Sequence, residues 1–81
     1  MRQHKHQIKV GDILYEASAV RKEVIEYKVV EIYIKDYKTP RTVVVLVSMY
    51  GVIERDVSVV TCWHDTHEEA SECLEEMLYS G

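Results

Sequence analysis

The chain has no phenylalanine, one proline, three glycines and two cysteines in 81 residues. Each shortage excludes something. With no Phe, the apolar mass rests on Val, Ile and six Tyr, residues that favour a pleated sheet over a helical bundle. So little proline and glycine leaves no low-complexity segment or linker, and no internal repeat is visible. Two cysteines are too few for a disulfide framework and read as reduced thiols. No apolar run approaches the ~18 residues that span a bilayer. The opening MRQHKHQIKVGD holds no apolar stretch able to serve as a signal peptide, so a cytoplasmic protein is expected. A chain this short forms one domain, residues 1–81, and buries only about 60–65% of the surface its unfolded state exposes, which leaves little room for a deep catalytic cleft.

The most informative shortage is one of base. The formal net charge is −4. Residues 1–55 carry ten Lys or Arg against seven acids, whereas residues 56–81 carry seven acids and neither Lys nor Arg. Such a segment repels a phosphate backbone and attracts a basic protein surface. A solvated, solubilising helix face is the plainer reading of the same run.

Along the chain, Gly11-Asp12 forms a turn, after which Ile13 and Tyr15 share one face of a first strand. From Glu23, EVIEYKVVEIYIKDY places Ile25, Tyr27 and Val29 on one face, then Val30, Ile32 and Ile34 in the shifted phase. A slip at Val29-Val30 is the signature of a β-bulge, because one extra residue reverses the facing of every later side chain. KDYKTPR is a turn built on Asp36 and Pro40. The run Val43–Val47 is apolar on both faces and predicts a strand covered on both sides. Gly51 turns the chain into a returning arm, Val52–Val60.

Thr66-His67-Glu68-Glu69 fits the S/T-x-x-E capping box. Beyond it Ala70, Cys73, Leu74, Met77 and Leu78 recur at the spacing of one helical stripe, with Glu68, Glu72, Glu75 and Glu76 on the other side. An amphipathic helix over about 66–80 is expected. Glu68 and Glu69 suit its N-terminal dipole; Glu75 and Glu76 near its end do not.

The segment TCWHDTHEEASEC collects Cys62, His64, His67 and Cys73. Its spacing matches no standard zinc pattern. His67 and Cys73, six residues apart, diverge by about 240° on a helix, and Cys73 falls within the apolar stripe. Capture of metal by His4 or His6 would be adventitious. A Cys62 thiolate with His64 as base lacks an orienting third group, and Glu54 with Asp56 reads as a pair of surface acids. Lys22, Lys28, Lys35, Lys38 and Arg41 with Tyr33 and Tyr37 supply a modest basic face, but Glu23, Glu26, Glu31 and Asp36 interleave with it. Trp63 reads as a core ring at the junction of sheet and helix or as an interface anchor.

The order of VGDILY, a curved EYKVVEIYI strand, a hairpin and DTHEEASECLEEML resembles small SH3-like barrel proteins of bacteria and phages. Many of these share a G-D-x-hydrophobic-Tyr first strand, here Gly11 to Tyr15, and a Thr-x-Glu-Glu-Ala helix, here Thr66 to Ala70. The resemblance implies a compact binding module and transfers no catalytic residue; the extra cysteines and histidines depart from it. The expected protein is mainly β (α+β), a small SH3-like barrel of about five antiparallel strands with a C-terminal amphipathic helix. The expected function is non-catalytic protein binding, with neither cofactor nor metal. The partner is a protein with a basic surface, met by Asp65, Glu68, Glu72, Glu75 and Glu76 with Trp63. In its most concrete form this is an anti-CRISPR-like phage inhibitor that occludes a host nucleic-acid-targeting defence enzyme. A weak nucleic-acid binder and a structural or regulatory accessory protein are the alternatives. Neither a nucleic-acid partner nor a membrane is expected, and the chain is a monomer or homodimer.

Overall fold

The computed structural model describes residues 8–36 and 38–79. Four strands, β1 (Ile13–Ser18), β2 (Glu23–Lys35), β3 (Arg41–Ser48) and β4 (Gly51–Asp56), form one antiparallel sheet in chain order. Two helices follow, α1 (Val57–Val60) and α2 (His67–Tyr79). His4, His6 and Ser80 lie outside the described residues, as does Tyr37.

Local chemistry sets the turns. Asp12 donates its amide to the Lys9 carbonyl at 3.1 Å and accepts the Lys9 amide on its carboxylate at 3.0 Å, which closes the Gly11-Asp12 turn. The Asp36 carboxylate accepts from the Lys38 amide at 3.1 Å and the Thr39 hydroxyl at 2.9 Å. Those bonds stabilise the charged form and hold its carboxyl below the usual aspartate range. At the β3–β4 hairpin Ser48 pairs with Gly51 across a two-residue loop. Gly51 sits at φ +118°, with nothing near its missing Cβ, so the backbone angle rather than space makes glycine suitable there.

β2 carries the bulge that its phase slip predicts. Its register with β3 runs Val29↔Leu46 and then Glu31↔Val45, which leaves Val30 as the extra residue. Ile25, Tyr27 and Val29 before it, and Ile32 after it, therefore all face the same core. That core joins Leu14, Val44 and Leu46 to Val60 and Trp63 from the segment after the sheet.

Two expectations are corrected. The returning arm does not continue as strand to Val60: it ends at Asp56, and Val57–Val60 is helical. The alternation of valines suits a strand, but the Asp56 carboxylate accepts from both the amide (2.9 Å) and the hydroxyl (2.8 Å) of Ser58 and so caps a helical turn. Val57 and Val60 then both turn inward at i, i+3 spacing. The sheet has four strands among the described residues, not about five. Beyond them lies one isolated bridge, in which the His64 amide donates to the Tyr15 carbonyl at 2.8 Å and the Tyr15 amide to the His64 carbonyl at 2.9 Å.

The run Val43–Val47, expected to be covered on both sides, is not covered by α2. That helix packs on β1 and β2, where the His67 ring meets Tyr15 edge-on at 5.9 Å, on the face opposite Leu14. β3 is therefore fully covered on one side and only partly on the other. Val44 and Leu46 are fully buried, whereas on the other face Val43 is buried, Val45 half-buried and Val47 38% exposed.

Candidate protein-binding face

α2 begins where the capping box places it. The Thr66 hydroxyl accepts from the Glu69 amide at 3.2 Å, and the Thr66 carbonyl accepts from the Ala70 amide at 3.2 Å. Its apolar stripe is seated most firmly at the start: Ala70 is fully buried, Cys73 and Leu74 half-buried, and Met77 and Leu78 more than a third exposed. The helix thus overhangs the sheet toward its C-terminus. Glu68, Glu72, Glu75 and Glu76 are exposed, and Asp65 is half-buried in the link that leads into the helix. The sequence has no Lys or Arg after Arg55, so no Lys or Arg of α2 or of the link leading into it stands among these carboxylates.

Trp63 does not join them at the surface. It is 8% exposed and stacks on Tyr27, with ring centroids 4.6 Å apart and planes 23° apart. The Tyr27 hydroxyl donates to the Glu16 carboxylate at 2.9 Å. Burial first, then the Glu16 hydrogen bond, pushes the Tyr27 phenol up to about 12.

A pH dependence follows from that raised value. The unfolded tyrosine releases its proton near pH ~10, while the folded one keeps it to about 12. Between those values the unfolded state holds fewer protons, so this contribution to stability is complete below ~10 and declines as pH rises toward about 12. Urea midpoints measured from about pH 9 to about pH 11.5 should therefore fall more steeply in the wild type than in Tyr27→Phe, which has no phenolic proton. Equal slopes would show that Tyr27 is not held neutral by the fold.

Among the described residues, the cysteines and histidines that cluster in sequence form no group of three or more that could hold a metal ion. Cys62 is exposed, its thiol directed at the Ser58 carbonyl at 3.5 Å, and Cys73 is half-buried on α2. His64 is engaged through its backbone and His67 through its ring. Glu54 accepts from the Tyr33 hydroxyl at 2.8 Å, a bond that raises the Tyr33 phenol above its ordinary value, and Asp56 caps α1. Lys35 and Arg41 pair with each other at one end of the sheet, while Lys28 lies near its middle beside Glu26.

One feature was not anticipated from the sequence. A groove of about 430 Å³ opens beside the start of α2, walled by Val24, Glu26 and Lys28 of β2, Val47 and Met49 at the end of β3, and His67. The apolar run Val43–Val47 was its available signal, but only the placement of α2 over β1 and β2 reveals which face stays open.

Compared with known proteins, the chain matches no family model, no curated protein and no solved structure.

Proposed function

We propose that this protein is a non-catalytic, cytoplasmic protein-binding module that presents the acidic face of α2 to a basic surface on its partner. One observation carries this reading: Glu68, Glu72, Glu75 and Glu76 are all exposed on a helix whose own sequence contains no Lys or Arg. Carboxylates spaced along a rigid helix mimic the charge, though not the shape, of a phosphate run. The most concrete form of the proposal is therefore occlusion of a nucleic-acid site on a host defence enzyme, the protein being phage- or mobile-element-derived. The architecture proposed with it is an SH3-like barrel. Two features support that reading: the Val30 bulge, which bends β2, and the Tyr15–His64 bridge, which reads as the remnant of a closing strand.

The basic face is a weaker candidate for binding nucleic acid. Tyr33 is tied to Glu54, and Lys28 has Glu26 beside it, so neither is presented free for stacking or for phosphate contact.

Capture from a lysate of the natural host, using the full chain as bait, tests the proposal. The retained protein should be basic at its contact surface and should elute as salt is raised, because exposed ion pairs weaken once the Debye length falls well below ~10 Å. A partner that stays bound at high salt would contradict the acidic face as the main contact.

A further inference from the structure

The outer face of β3 is closed at Val43 and opens toward Val47. Across the sheet, Ile13, Lys28, Val47 and Val52 form one row. Val47 is 38% exposed, Val52 66% and Met49, in the adjoining turn, 85%. The groove deepens this row against the first residue of α2. Its volume, about 430 Å³, is comparable to the ~300–1,000 Å³ of ligand clefts, and the groove is half open to solvent rather than enclosed.

The turn carrying Met49 is held in place. The Tyr50 amide donates to the Ser48 hydroxyl at 3.0 Å, the Tyr50 hydroxyl donates to Glu23, and the Arg21 guanidinium lies 3.9 Å over the Tyr50 ring. The groove is therefore present before anything binds, which lowers the ordering cost of binding.

Charge complementarity identifies the occupant. His67 forms one wall, and the next residue, Glu68, opens the acidic face of α2. A chain that leaves the groove past His67 would meet that acidic face first at Glu68. Glu68 to Glu75 spans ~10 Å at 1.5 Å per residue, which an extended segment covers in about three residues. We infer that the groove anchors an extended basic segment of a partner protein: an aliphatic side chain fills the space beside Val47 and Met49, and Lys or Arg residues within the next six or so positions meet Glu68, Glu72 and Glu75. This inference rests on the acidic-face reading of α2 and adds to it a site and a direction.

The test uses the full ¹⁵N-labelled chain and three synthetic peptides: two leucines followed by a segment with lysine at every third position, the same with serine for lysine, and the same with serine for leucine. The first peptide should shift the amides of Val24–Lys28, Val47–Met49 and α2, and should bind at least about tenfold more tightly than either of the others. Met49→Asp, at a turn residue 85% exposed, and Val47→Lys should each weaken it about tenfold, with thermal midpoints confirming the fold. If the leucine-free peptide binds equally well and only charge reversal on α2 abolishes binding, the groove inference is overturned while the acidic face survives. If the lysine-free peptide binds equally well and only the Met49 and Val47 variants matter, the acidic-face reading fails. Absence of binding by all three peptides overturns the groove inference.

Discussion

Trp63→Ala is expected to remove a third or more of the chain's folding stability. Truncating a buried Trp typically costs ~3–5 kcal/mol through lost burial and the cavity that remains. Loss of the stacked pair with Tyr27 adds about 1 kcal/mol. A chain of 81 residues has a total stability of only about 4–12 kcal/mol, so one substitution removes a third of it or more. The position amplifies the effect. Trp63 lies between the short α1 helix and the segment that pairs His64 with Tyr15, so the ring also holds the route from the sheet to α2. Trp63→Phe retains a ring over Tyr27 and should cost less than half as much. Urea titration followed by far-ultraviolet circular dichroism measures both variants. A Trp63→Ala midpoint close to that of the wild type would mean that the stacked pair is not central to the core.

The second large effect is on binding rather than folding. Reversing Glu72, Glu75 and Glu76 to Lys should weaken association with a basic partner about a hundredfold. An exposed ion pair contributes roughly 0.2–1 kcal/mol, and reversal replaces each attraction with a repulsion of similar size. Three such changes amount to about 3 kcal/mol, or two orders of magnitude in Kd. Stability should hold or rise slightly, because cations near the end of a helix suit its dipole better than the native acids do. A weak nucleic-acid binder would respond in the opposite sense, gaining affinity as the acids are removed. An accessory protein using another surface would not respond.

The parts of the fold that were readable from the sequence are those set by neighbouring residues. The slip at Val29-Val30 identified the bulge because strand periodicity is strict. Thr66 and Glu69 marked the start of α2 because the cap is a local hydrogen bond, and Gly11-Asp12 marked its turn for the same reason. α1 escaped the same reading because Val57, Val59 and Val60 have strand propensity, and the Asp56–Ser58 cap that overrides it occupies only three residues. The acidic residues were legible as a helix face, and the structure leaves four of them exposed as that face requires. Trp63 had two readings, and its stacking on Tyr27 places it in the interior. The groove was not legible, since it depends on which strands α2 crosses. That choice is made by tertiary contacts, among them Tyr15 with His67, and no spacing within either segment encodes it.

The central claim is that the face of α2 bearing Glu72, Glu75 and Glu76 is the contact surface for a basic protein. Calorimetric titration of the purified partner into the wild type and into the triple Lys variant, at low and at high salt, tests it most directly. A loss of about a hundredfold is expected at low salt and a smaller loss at high salt, with the thermal midpoint of the triple variant equal to or slightly above that of the wild type. Equal affinities for the two chains at low salt would contradict it.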